Sequence, residues 1–248
     1  MKNLLKLEFR KLKTRKSFYI CIAVMVGMFA ISTFTINGLI NPVFSEDLGL
    51  SGINSLIGAL SSSSFTMISG IFVALFVCED YTSQTVKNIY AKGYSRTKVY
   101  LSKLITILIS TTVMLIIIDL VAFALGTALY GVGKNSDKLL PVLTTQYIIA
   151  MAEVTFAFTI ASVIRKTGGA IACIIIAPMF LGVLLGLADT FIPFENISIS
   201  KLWLSNFLSV FQTLDISTNQ ILLYILGSLI YFTIFNIIGL YFNKKIQL

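Results

Sequence analysis

Two carboxylates stand inside stretches of sequence that are otherwise apolar, Asp119 within 99–130 and Glu153 within 139–164. Ionisable side chains at bilayer depth are costly, which makes them candidate functional groups. Two readings stay open for them. One is a relay for protons or cations. The other is a structural hydrogen bond or a place on the wall of a wet cavity. Two isolated acids without a membrane-embedded base make a poor relay. Other chemistry is missing. The chain has no histidine, so His-based acid–base, metal and triad chemistry is excluded. Cys21, Cys78 and Cys173 share no metal spacing and read as small apolar residues. The stretch 128–135, ALYGVGKN, approaches a phosphate loop but has Ala128 in place of the first Gly and Asn135 where a hydroxyl should ligate magnesium. No catalytic, cofactor-binding or metal-binding residue is expected.

The elements that carry these acids are membrane spans. Charge-free apolar stretches run over 18–40, 53–78, 167–188 and 216–243, and the two acid-bearing stretches bring the total to six. Each exceeds the roughly 20 helical residues that cross a hydrocarbon core. At 12% charged residues and a mean hydropathy of +0.90, a soluble all-helical protein, whose helices need charged faces, does not fit. Of the 19 Lys and Arg, 16 fall on one side if the spans alternate; only Lys134, Lys138 and Lys201 fall on the other. The positive-inside rule then makes both termini cytoplasmic, in a multi-pass protein of the cell membrane. The first apolar run is too long for a signal peptide and is expected to stay as an anchor. The +8 charge orients the chain and attracts anionic lipid rather than nucleic acid.

The expected fold is therefore an all-α integral membrane protein, one domain over 1–248. In the arm over 1–17, Leu5, Phe9 and Leu12 share a helical face among basic residues, which predicts an interfacial amphipathic helix. The second span carries Ser61 to Ser64, then Thr66 and Ser69; Gly58, Ser62 and Ser69 fall near one face, suited to helix packing or to lining a pathway. Gly182 and Gly186 form a GxxxG. In the loop 79–98, Asp80 or Thr82 can cap a short helix. Val86, Ile89 and Tyr90 give it an apolar face, Gly93 can end it, and Ser95 can cap the next. The segment 189–215 is apolar, aromatic and broken by Pro193. With Leu204, Phe207, Leu208 and Phe211 on one side, it reads as an extracellular re-entrant hairpin before the last span.

The loop 79–98 also resembles that of the ABC-2 type permeases, the membrane subunits of ATP-driven exporters, especially the small Gram-positive ones. In these a Glu follows the second span, then a Gly-Thr-Leu-like step, then Ser-Arg. Here the order is Glu79, Gln84-Thr85-Val86 and Ser95-Arg96, followed by TKVYLSK. Gln84 stands where Gly is usual, and Gly93 where Pro is common. The resemblance implies that 79–92 is a coupling helix docking on a separate ATPase, with Glu79, Thr85, Val86, Ile89, Tyr90 and Arg96 as coupling residues. It implies an assembly of two ATPases, which bind ATP and magnesium, with a second permease, identical or paralogous. Permeases of this size often serve amphipathic peptides, in bacteriocin immunity, bacitracin-type resistance or export of cytolytic peptides.

The expectation is thus an exporter permease that is not itself an enzyme. Its path would be lined by Ser62 and Ser69 and closed outside by Phe207 and Phe211. The alternatives are an ion-coupled transporter or channel using Asp119 and Glu153, or a membrane anchor or sensor subunit that moves nothing.

Overall fold

The computed structural model describes residues 1–39, 51–133, 138–191, 199–211 and 218–245. Lys134 and Asn135 of the phosphate-loop-like stretch, Pro193, and much of 189–215 lie outside the described residues. Those described form ten α-helices and a 3-10 turn, with no strand among them: α1 (Lys2–Thr14), α2 (Lys16–Leu39), α3 (Gly52–Ser61), α4 (Ser63–Thr82), α5 (Thr85–Ala91), α6 (Arg96–Tyr130), α7 (Leu139–Ile164), α8 (Thr167–Phe191), the turn Ile199–Leu202, α9 (Leu204–Val210) and α10 (Thr218–Lys245). Six of them, α2, α4, α6, α7, α8 and α10, are long and apolar enough to cross a membrane. The most apolar window of α7 is 67% buried inside the protein, against 11% for α8 and for α10. So α7 is the axis of the bundle, and α8 and α10 offer it one side and the surroundings the other. Gly182 and Gly186 lie on the open side of α8, with nothing near where a Cβ would stand.

The second apolar stretch departs from expectation. It is two helices, broken at Ser62, whose backbone is extended (φ −72°, ψ 131°). The serines there permit it. Ser61 Oγ donates to Ile57 O at 3.0 Å and Ser62 Oγ to Ala59 O at 2.8 Å, the local side-chain bonding that competes with a continuous helix. Gly58 and Ser62 therefore do not share one helical face with Ser69. At bilayer depth the freed carbonyls need partners inside the protein. Gln146 of α7 meets the junction: its buried Nε2, with two protons to give, lies within hydrogen-bond distance of Ile57 O (3.1 Å), Ser61 Oγ (2.7 Å) and Phe211 O (3.0 Å). One amide group thus joins the ends of α3 and α9 to the axis.

At ten residues, or about 15 Å, α3 is too short to span. It is held by its ends and by close packing. Gly52 N and Ile53 N donate to Gly131 O and Val132 O beyond α6, at 2.9 and 3.2 Å. Against it, α6 brings Gly126, where a Cβ would sit 2.4 Å from Ser55 Oγ and 3.0 Å from Gly52 Cα. Only glycine lets the two backbones approach this closely.

Candidate functional site

The short helix α5 sits at the end of the bundle where the basic residues gather. Gln84 enters it in the left-handed region (φ 55°), which a side chain makes costly. That is the physical sense of a glycine preference at this step. Gly93 leaves it at φ 83°, with its N–H donating to Tyr90 O at 2.9 Å, as expected. Asp80 and Thr82 cap nothing here; both are in the last turn of α4.

The apolar face of α5 points inward. Val86 and Ile89 are 1% and 6% exposed. Ile89 packs with Leu4 of α1 and Val99 of α6, flanked by Tyr90 and Tyr94. Val86 and Ile89 therefore have no free surface to offer a partner, and the chain's own arm covers Ile89 through Leu4. Exposed on α5 are Lys87, Asn88 and Ala91, with Thr85 half-buried. Tyr90 is tied back as well. Its phenol bonds to Asn243, burial pushes its pKa up, and the Arg96 guanidinium lies 5.9 Å from its ring centre.

The arm is as expected a helix, but its apolar face packs on the bundle through Leu4, Leu12 and Phe9. Among those residues it buries a carboxylate. Glu8, Asp80 and Lys103 are each at most 1% exposed. Lys103 Nζ donates to Asp80 and lies 3.7 Å from Glu8. Lys11 Nζ reaches both oxygens of Asp80 at 3.1 Å and Glu8 at 3.8 Å. Arg15 lies 3.4 Å from Asp80 and pairs with Glu79. Three acids and three bases thus join α1, α4 and α6. Sequence reasoning passed over this cluster. Its signal was Glu8, the one acid of the arm, spaced four residues from Leu4 and from Leu12, and Lys103, a base inside an apolar run. A buried base does exist, but it is matched to Asp80 and Glu8 and not to Asp119 or Glu153.

Glu79 and Arg96 do not hold the ends of α5. Glu79 holds the junction of α1 and α2 through Arg15, and Arg96 Nη1 donates to Lys244 O at 3.0 Å. A second tie runs from Arg165, in the left-handed region at φ 59°. It donates to Asn243 Oδ1 at 3.2 Å and covers the Tyr81 ring at 4.7 Å, a cation–π contact.

Farther into the bundle, Glu153 of α7 is 6% exposed. It accepts from Thr66 Oγ1 at 2.6 Å and from the Ser205 hydroxyl. Ser69 is buried beside it and lines the same pocket; its Oγ donates to Thr66 O at 3.1 Å. Asp119 of α6 is elsewhere: it does not line this pocket, and its buried Oδ1 has no hydrogen-bond partner. Phe207 and Phe211 of the α9 segment are 2% and 0% exposed, packed with Ile53, Ile57, Val142 and Ile149. They belong to the interior of the protomer, where Phe207 and Phe211 meet the Tyr224 ring at 4.8 and 5.3 Å. The segment is anchored by Asp189 Oδ2, which accepts from Ser200 N at 3.1 Å, and by Tyr231 Oη donating to Leu202 O at 3.0 Å.

Six membrane-length helices, five of them around the buried axis α7, with a clamped helical loop at the basic end, define a multi-pass membrane protein of permease build. Residues 4–185 match the family model described as ABC-2 family transporter protein, and the chain belongs to that family. It is thereby the membrane permease of an ABC exporter, a transmembrane component that is not itself catalytic and that associates with an ABC ATPase. No curated protein matches the chain.

Proposed function

We propose that this permease couples ATP hydrolysis to the export of amphipathic peptides, for self-protection or secretion, with α5 as the element that receives the ATPase. The observation that carries this reading is the clamping of α5. It is a short helix outside the spans, tied at once to α1, α6 and α10, so that a push on it moves the bundle as a unit. The contacting surface is Thr85, Lys87, Asn88 and Ala91. Two ATPase copies hold ATP and magnesium, and a second permease completes the path. Both termini and α5 face the cytoplasm of the cell membrane; the basic residues gathered at that end support this orientation.

Copurification with the ATPase tests the coupling. Lys87→Glu with Asn88→Asp should release the ATPase from a permease that remains folded in the membrane. Retention of full assembly and transport would move the docking surface elsewhere. Orientation is tested by cysteine labelling from outside. Val132→Cys should react and Ser83→Cys should not; the reverse pattern inverts the topology. An amphipathic peptide should stimulate ATP hydrolysis by the reconstituted complex, and a failure across such peptides removes the substrate class alone.

A further inference from the structure

The arm α1 turns its one acid inward and four of its bases outward. Glu8 is buried with Leu4 and Leu12 against the bundle. Lys2, Lys6, Arg10 and Lys13 are exposed and fall within about 80° of helical arc on the opposite side. None of these four side chains pairs with an acid among the described residues. Like charges at this spacing repel one another along the helix, so the face is stabilised by something negative beside it.

The contacts of the arm fix where that partner must lie. Arg15 alone separates α1 from α2, whose membrane-length run begins at Lys16. Asp80, which accepts from Lys11 and Lys103, is two residues from the end of α4 at Thr82. Lys103 is seven residues into α6, about 10 Å from its start. The arm therefore lies against the flank of the bundle, at the level where α2 enters and α4 leaves the hydrocarbon. Tyr19, 56% exposed, donates to Lys13 O at 3.2 Å, and tyrosine is a residue of the headgroup zone. A second copy of the chain has no acid to offer here: of the described acids at this end, Glu8 and Asp80 are buried and Glu79 pairs with Arg15. What surrounds the flank at this depth is lipid headgroup.

We propose that the outer face of α1 is a docking surface for anionic phospholipid headgroups, bound through Lys2, Lys6, Arg10 and Lys13. The bundle takes the apolar face that the sequence alone would press into the membrane, and the basic face meets the lipid. Because Leu4 on the inner face packs with Ile89, lipid held on the outer face also seats α5. The surface requires neither ATP nor cargo and stands apart from the export reading.

The full-length permease is released from micelles containing equal phosphatidylglycerol and phosphatidylcholine, and its retained lipids are counted by native mass spectrometry. The wild-type protein should retain phosphatidylglycerol in preference. Replacing Lys2, Lys6, Arg10 and Lys13 together by Gln should cut that preference about tenfold or more, each surface charge being worth roughly fivefold. Replacing Lys92, Lys98, Lys166 and Lys244 by Gln removes as many exposed charges elsewhere and should change it less than about twofold. A second measurement needs no variant. Wild-type permease should melt at a higher temperature in nanodiscs that contain phosphatidylglycerol than in phosphatidylcholine alone, and about 1 M salt should remove the gain. Equal retention of the two lipids, equal melting in the two discs, or an equal loss in both variants would overturn the proposal. So would unchanged lipid retention in the arm variant with loss of the copurifying ATPase, which would give the basic face to that protein instead.

Discussion

Charge is buried in two regions of this bundle, on opposite terms. At the basic end, buried Glu8 and Asp80 meet buried Lys103, with Lys11 and Arg15 closing on them from the rim. In the middle, Glu153 meets hydroxyls alone. A matched set of buried charges gains little over well-packed apolar side chains, but breaking it strands what is left. Such a set therefore fixes which elements sit together more than how firmly. An unmatched acid fixes nothing of that kind. The first region is thus a joint between elements, and the second a single acid held by hydroxyls.

The largest effect should come from breaking the joint. Asp80→Ala leaves Lys103 buried without its main partner and should cost about 3–5 kcal/mol, read as thermal unfolding in detergent with early detachment of α1. Replacing Glu8, Asp80 and Lys103 together by Leu should recover most of that loss. If the triple variant is as unstable as the single one, the charges act by more than their mutual pairing.

Gln146→Leu comes next. It removes the amide that joins the ends of α3 and α9 and leaves Ile57 O and Phe211 O to share the Ser61 hydroxyl, at about 1–3 kcal/mol. Wild-type stability in this variant would mean that the break at Ser62 closes into a continuous helix. Gly126→Ala belongs to the same range, about 1–3 kcal/mol for overpacking, because the new methyl meets Ser55 and the Gly52 backbone.

Glu153→Gln should change stability least, by less than about 1 kcal/mol, since a neutral amide still bonds Thr66 and Ser205 and sheds a buried charge. A loss as large as that of Asp80→Ala would erase the contrast between the two regions.

Much of this architecture was legible before any coordinates. Six apolar runs and a lopsided charge distribution are properties of the chain alone, and so is the turn at Gly93. The Glu79–Arg96 order led to the family. What stayed hidden depends on which surfaces meet. The stripe Val86–Ile89 announces an apolar face but not whether a partner or the chain's own Leu4 covers it. The serines after Leu60 fit a packed helix as well as a broken one; the difference is made by Gln146, which lies 85 residues away from Ser61. Glu8 looks like one acid in a basic tail until Lys103 is placed above it.

The position of Glu8 has a consequence for how the protein is made. The arm is made before α6, and Lys103 follows Glu8 by 95 residues. At about 5–20 residues per second, α1 waits some 5–20 seconds for its mate. During that interval its Lys2, Lys6, Arg10 and Lys13, which remain exposed in the finished fold, can hold the arm at an anionic membrane surface. The arm is thus a latch that closes only after α4 and α6 have been made.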